Sequence, residues 1–214
     1  MNSFPRPHTG RKRSEASRLA VQHAVLELLR SDGYAALTFD KVAARAKVGK
    51  QTLYRWWSSK GALVLDALAD ESSERISEPD TGALETDVSS LLRRSFEVLD
   101  GDRPTGPILK ALVVESQLHP EFLEKFRSQF IERRRQVLRG LLERAAARGE
   151  LPATVDHELV IDQIFGALWY RLLFGHAPLD AAFADALAHQ LLGLKPTAAP
   201  RARARAPQAG RKGA

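Results

Sequence analysis

The sequence predicts an all-α chain, and three observations carry that expectation. Apolar residues recur at helical spacing nearly everywhere between Ser14 and Leu194. No segment sustains the period-two alternation of a half-buried strand. Glycine and proline punctuate the stripes at Asp32-Gly33, Glu78-Pro79, Gly101 to Pro107, His119-Pro120, Gly149 to Pro152 and Ala177-Pro178. About nine helices fit between those joints.

In order, the first helix opens after Ser14, an expected N-cap, and puts Val21, Val25, Leu28 and Leu29 on one face. It stops at Asp32-Gly33. Thr38 caps a short second helix that turns Phe39, Val42, Ala43 and Ala46 inward, and Lys47-Val48-Gly49 interrupts the pattern. A third helix runs from Lys50 to about Trp57. Ser58 or Ser59 caps a fourth, carrying Leu63, Leu65, Leu68 and Ile76. Beyond Pro79, one stripe is Leu84, Val88, Leu91, Leu92, Phe96 and Leu99. A second, on a long helix, is Phe122, Phe126, Phe130, Val137, Leu138, Leu141 and Leu142.

The segment Val160 to Leu173 is apolar over too wide an arc. At ~100° per residue its apolar side chains cover roughly 220°, where a helix with one buried face needs little more than ~100°. The next helix repeats Leu179, Phe183, Leu187 and Leu191 at a spacing of four. Two readings stay open: a partner subunit covers the excess, or both are central helices of the monomer's core. The expected interface set is Ile161, Phe165, Leu168, Leu172, Phe183, Leu187 and Leu191. After Leu194 the chain has no apolar side chain larger than alanine and is expected to be a disordered basic tail over 195–214, either a loose phosphate binder or a solvated terminus.

Composition excludes several classes. The 214 residues are 44% hydrophobic and 27% charged, enough for one sizeable core or for a small domain on a larger one. Bulk disorder, a collagen-like repeat and a disulfide scaffold are ruled out. With Cys 0 there is no disulfide, thiol nucleophile or thiolate metal site, which suits a reducing cytoplasm. No apolar run approaches the ~20 residues of a membrane span. The run Leu19 to Leu29 is broken by Gln22, His23 and Glu27 and lacks a cleavage site, so it reads as a helix and not as a signal peptide. The expectation is a soluble, cytoplasmic chain without membrane contact.

Charge is unevenly placed. Residues 1–70 hold 12 Lys/Arg against 6 Asp/Glu, residues 71–194 hold 14 against 20, and the last twenty hold 6 and none. A basic head on an acidic body points to a polyanion as partner of the head.

The head also has the layout to meet one. In Leu37 to Trp57 a short helix, a three- to four-residue turn and a second short helix must cross steeply, the layout of a helix-turn-helix. Ala43 and Ala46 let the helices approach, Val48 plugs the gap beneath the turn, and Leu53 and Trp57 anchor the inner face of the third helix. Its outer face then shows Lys50, Gln51, Thr52 and Arg55, side chains that reach phosphates and base edges in a major groove.

Here a family resemblance appears. Gly33-Tyr34, Leu37-Thr38, Val42-Ala43, Thr52-Leu53-Tyr54, Trp57 and Ser59-Lys60, at these spacings, resemble the N-terminal signature of the TetR family of transcriptional regulators. The resemblance covers about Ser14 to Leu65; the helices to about Leu194 are similar to the family's ligand-binding and dimerisation domain in number and layout only. It implies a flexible arm over 1–13, a DNA-binding domain over 14–58 and an effector-binding and dimerisation domain over 59–194.

It also implies roles. Tyr54 would hydrogen-bond a DNA phosphate, and Lys60 would meet the backbone where a helix N-terminus favours an anion. Lys50 and Gln51 would be the main base readers, with Thr52 and Arg55 nearby; Thr38, Lys47, Gly49 and Trp56 complete the expected contact set. Two positions depart from the family pattern, which has Gly then Ser where this chain has Lys47 and Gly49. Lysine at the left-handed position closing the second helix costs ~1 kcal/mol, and Gly49 gives up a cap hydroxyl worth a few tenths of that.

For the body, the implied function is a homodimer that binds a palindromic operator on double-stranded DNA and is released by a small effector, most often as a repressor. Phe96, Leu112, Phe126, Phe130, Phe165 and Trp169 suit an apolar pocket, with Glu115, Gln117 or His119 as polar contacts, though each also suits plain bundle core. No cofactor, metal or catalysis is expected: the six histidines show no ligand spacing, and no phosphate loop or nucleophile elbow occurs. The alternative is a sequence-nonspecific, nucleoid-type DNA binder.

Overall fold

The computed structural model describes residues 9–75, 78–100 and 105–192. Its elements are α1 (Thr9–Ala36), α2 (Phe39–Ala46), α3 (Lys50–Trp56), α4 (Lys60–Arg75), α5 (Leu84–Asp100), α6 (Gly106–Leu118), α7 (Pro120–Phe126), α8 (Glu132–Ala147), α9 (His157–Phe174) and α10 (Ala181–Leu192). A π-helical turn, Arg127–Ile131, joins α7 to α8 without a break, so these three pieces form one rod. Counted that way the described residues form nine helical rods and no strand, the all-α architecture expected.

The ends of these helices follow local chemistry. Thr38 Oγ1 accepts the Lys41 N–H at 3.3 Å and opens α2. Lys47 closes α2 in the left-handed conformation, φ 55° and ψ 42°, while Gly49 starts α3 with no side-chain cap. Ser59, rather than Ser58, caps α4 by accepting the Ala62 N–H at 3.1 Å. Asp156 caps α9 through the Glu158 and Leu159 amides, and Gly175 ends it at φ 62°. The start of α5 is capped from afar: Glu150 accepts the Leu84 N–H at 2.7 Å, which, with Arg148, holds the Glu150 carboxyl below its usual range.

One boundary differs from expectation. α1 begins at Thr9, upstream of Ser14, because Arg11, Lys12 and Arg13 are good helix formers that extend it through the expected cap. The helix breaks at Gly33 (φ 77°, ψ 172°), where the Asp32-Gly33 stop was expected. The remainder of the expected N-terminal arm, Ile76 and the 195–214 tail lie outside the described residues.

Packing is continuous from head to body. Val21, Val25, Leu28 and Leu29 of α1 meet Leu37, Val42, Leu53 and Trp57, and the same core runs on through Leu63, Leu65 and Leu68 of α4. α4 lies against α6, α7 and the π-turn. All six apolar residues of the α5 stripe are buried, with Phe96 stacked on Phe183 of α10 at 5.6 Å.

The wide arc on α9 resolves into two opposed faces. Val160, Ile161, Ile164, Leu168 and Leu172 are buried in the monomer's own core, so Ile161, Leu168 and Leu172 are not available to a partner. Phe165, Phe183, Leu187 and Leu191 are half-buried against that core. At ~100° per residue, Leu159, Gly166, Tyr170 and Leu173 fall on the opposite side, and Leu159, Tyr170 and Leu173 are exposed, as is Phe174 at the helix end. Counting the arc as one stripe hid the second face because its residues are spaced three, four and seven apart on the far side.

The left-handed Lys47 is the described non-glycine residue with positive φ. Lys47→Gly should raise stability by about 1 kcal/mol, read as a higher melting temperature with α2 and α3 unchanged by circular dichroism.

Candidate nucleic-acid interface and effector cavity

The outer face of α3 is built on two buried anchors. Leu53 is fully buried and Trp57 nearly so. The Trp57 indole donates from Nε1 to Asp66 Oδ2 at 3.2 Å, and Asp66 also accepts from Arg18 Nη2 at 3.0 Å and Gln22 Nε2 at 3.4 Å. One carboxylate thus ties α1, the end of α3 and α4 together. Lys41–Asp32 (2.8 Å) and Arg45–Glu27 (2.9 Å) bridge α2 to α1, exposed pairs of small worth singly.

With the inner face so held, Lys50, Gln51, Tyr54 and Arg55 are exposed, and Thr52 and Trp56 half-exposed. Thr38, Lys47 and Gly49, at the ends of α2 and α3, are exposed beside them. Nine of the ten expected DNA contacts therefore share one region of the head, the tenth being Lys60. Tyr54 is 55% exposed, with its ring and that of Phe39 in an edge-to-face contact at 4.6 Å. Arg55 lies over the Trp56 ring at 5.9 Å.

Two cations are engaged within the protein. Lys50 Nζ is 2.6 Å from Asp40 Oδ1, and this carboxylate holds the ammonium above its usual range. Lys60 Nζ donates to the Tyr34 carbonyl at 3.1 Å and sits 4.3 Å from the Tyr34 ring. Asp40 is a functional neighbour that sequence reading missed: it lies ten positions from Lys50, across a turn, where no helical spacing relates the two.

Behind the head, Glu115 of α6 joins three helices. It accepts the Tyr34 hydroxyl through Oε2 and the Gly61 N–H at 3.0 Å through Oε1. Burial, and then Glu115, hold the Tyr34 phenol well above its ordinary range. The contact is close because position 61 is glycine: a Cβ there would lie 2.5 Å from Glu115 Oε1 and 2.9 Å from the Phe122 ring.

The body holds a partly open cavity of about 320 Å³ between α4, α5, α8 and α9. Its wall is mostly apolar, including Leu68, Leu92, Leu99, Leu138 and Ile164, with Glu78, Arg133 and Arg134 as charged members. Of the expected pocket residues, Phe130, Phe165 and Trp169 line this cavity. Gln117 and Phe126 line a shallower pocket between α6, α7 and α9. Phe96 and Leu112 are core, Glu115 is committed to Tyr34 and Gly61, and His119 is exposed at the α6–α7 joint. No stripe or motif singles out Arg134, which lies between the exposed Arg133 and the ion-paired Arg135.

Comparison with known proteins agrees with this geometry. Residues 23–67 match the model for bacterial regulatory proteins of the tetR family, and residues 78–191 match that for a tetracyclin repressor-like C-terminal domain. The chain belongs to the TetR family of transcriptional regulators. It is 35% identical over 191 residues to the uncharacterized HTH-type transcriptional regulator YdeS of Bacillus subtilis, covering 89% of this chain and 96% of that one. It is 34% identical over 185 residues to the DNA-binding transcriptional repressor TetR of Mycobacteroides abscessus, covering 84% and 94%. Among solved structures, the TetR family regulator SCO0332 superposes with a TM-score of 0.75 at 37% identity, over 83% of this chain and 97% of that one.

Within this TetR-family head, Asp40→Asn should free the Lys50 ammonium for phosphate. Binding to any duplex should tighten, and the slope of log affinity against log salt should steepen by up to about one. Gly61→Ala should cost about 1–3 kcal/mol by forcing Glu115 and Phe122 apart, seen as a lower urea midpoint.

Proposed function

We propose that this TetR-family regulator is a ligand-responsive repressor that binds a palindromic operator as a homodimer and lets go when a small molecule fills the cavity of the body. The observation that carries this reading is the position of α4. Its first turn abuts the DNA face through Lys60 and Tyr34, and its third turn contributes Leu68 to the cavity wall. A molecule that pushes on Leu68 pushes on the helix that seats the head. Coupling of that kind is reciprocal, so operator DNA weakens the effector as much as the effector weakens DNA.

Repression is supported by the name of the 34%-identical repressor from Mycobacteroides abscessus. That the fold admits an acyl ligand is supported by a FadR regulator from Bacillus subtilis solved with stearoyl-CoA, similar at a TM-score of 0.60 and 19% identity. For the homodimer, the second apolar face of α9 is a suitable surface, with Tyr170 and Phe174 as large exposed anchors and the small Gly166 exposed on the same side of the helix. A two-fold axis there would present two copies of α3 to successive major-groove faces.

Affinity for the chain's own upstream DNA and for a scrambled duplex, at two salt concentrations, tests the reading. Gln51→Ala should lower affinity for the operator by about 1–3 kcal/mol while sparing random DNA. Lys60→Ala should weaken both alike and reduce the salt slope by about one. Equal loss on both duplexes for Gln51→Ala would mean that charge, not sequence, is being read, as in a nucleoid-type binder.

A further inference from the structure

The apolar wall of the cavity leaves one side chain unexplained. Arg134 reaches into it with no carboxylate in ion-pair range among the described residues. Its Nη1 donates to the Phe130 carbonyl at 3.2 Å, and the guanidinium lies 3.3 Å from the centre of the Phe130 ring. Burial, with Arg133 alongside, pulls the group down to about 10. A guanidinium partly withdrawn from water is best matched by an anion or a full set of acceptors, and here, half-buried, it has one carbonyl and a ring face.

The other arginines of α8 provide the contrast. Arg135 pairs with Glu158 at 2.6 Å and Asp162 at 2.5 Å, and Arg139 with Glu158 at 2.7 Å and Glu132 at 3.2 Å. Arg144 pairs with Glu78 at 3.0 Å, and Arg148, just past the end of the helix, with Glu150 at 2.5 Å. Arg133 and Arg134, the two that line the cavity, are the two of this helix without such a partner among the described residues. Glu78, the acidic member of the wall, already answers Arg144, so it does not neutralise them.

Backbone geometry is a second, separate observation. The π-turn Arg127–Ile131 carries one residue more per turn than an α-helix, and such turns recur at functional sites. It lies where Gln129, Phe130 and Ile131 enter the cavity wall, directly ahead of Arg133 and Arg134.

We infer that the cavity takes an amphiphilic anion, an aliphatic or ring body ending in a carboxylate or phosphate, with its head on Arg134 and its body against Leu68, Leu92, Leu138 and Trp169. This rests on the cavity being the effector site, and it adds the chemical class of the effector. A planar guanidinium fork matches either head group bidentately. The volume of about 320 Å³ corresponds to about ten water-sized groups at ~30 Å³ each, so a medium-length chain fills it.

Calorimetric titration of the full chain with octanoate, octyl phosphate and 1-octanol tests this, alongside Arg134→Gln and Arg134→Lys. Octanoate or octyl phosphate should bind at least tenfold more tightly than octanol, since a charge-assisted hydrogen bond is worth enough to give that ratio. Whichever anion binds better identifies the head group. Arg134→Gln should lose about tenfold or more for the anion while octanol is unchanged, and Arg134→Lys, which keeps charge without the fork, should fall between. Octanol binding as tightly as both anions, or Arg134→Gln weakening all three alike, overturns the anion assignment but leaves an apolar effector site. Absence of binding by all three overturns both. The wild-type comparison of head groups stands even if a variant fails to fold.

Discussion

The Glu115 carboxylate sits where α1, α4 and α6 converge, and the seating of the head on the body depends on it. Its two oxygens are shared between a phenol at the end of α1 and an amide in the first turn of α4. The arrangement demands a residue without a side chain at position 61 and leaves the carboxylate little room to be anything but an acceptor. Asp66 performs a similar task inside the head, gathering Arg18, Gln22 and the Trp57 indole. Two carboxylates, rather than apolar contact alone, fix where the recognition helix points.

That arrangement separates three kinds of charged group. Those on the outward side of α8 are matched among themselves and set its docking on α9. Those on the head are partly matched: Lys50 by Asp40 and Lys60 by the Tyr34 carbonyl and ring, so that meeting a phosphate means exchanging one partner for another. Those on the cavity wall, Arg133 and Arg134, are unmatched by carboxylates within the described residues. The first kind builds the molecule, and the other two are where an external anion changes its energy.

Much of this was legible in the sequence. Period alone located the buried stripes of α1, α5 and the long α7–α8 rod, the breaks at Gly33 and Gly49 fall at expected joints, and α9 ends at Gly175, just ahead of the joint expected at Ala177-Pro178. The left-handed Lys47 followed from comparing one position with a familiar pattern. What escaped has a common cause. Asp40 with Lys50, Glu115 with Tyr34, and Arg134 with an apolar cavity are relations between elements, and periodicity ranks residues only along their own helix. The interface expected on α9 went astray for the same reason, because an arc of apolar residues does not say which of its edges the monomer claims. The exposed side of α3 was the easiest to read, since a helix-turn-helix leaves that helix one outer face, and Lys50, Gln51, Tyr54 and Arg55 are exposed there.

The π-turn between α7 and α8 has a bearing on how a cavity of this kind diversifies. A π-turn takes up one residue more than the α-helical turn it replaces, while the helices on either side keep their facing. One residue removed there would restore a regular helix and leave Phe122 and Phe126 beside α4 and the outward ion pairs of α8 where they are. Gain or loss of a single codon can thus change which of Gln129, Phe130 and Ile131 face the chamber, while the rest of its wall stays as it is.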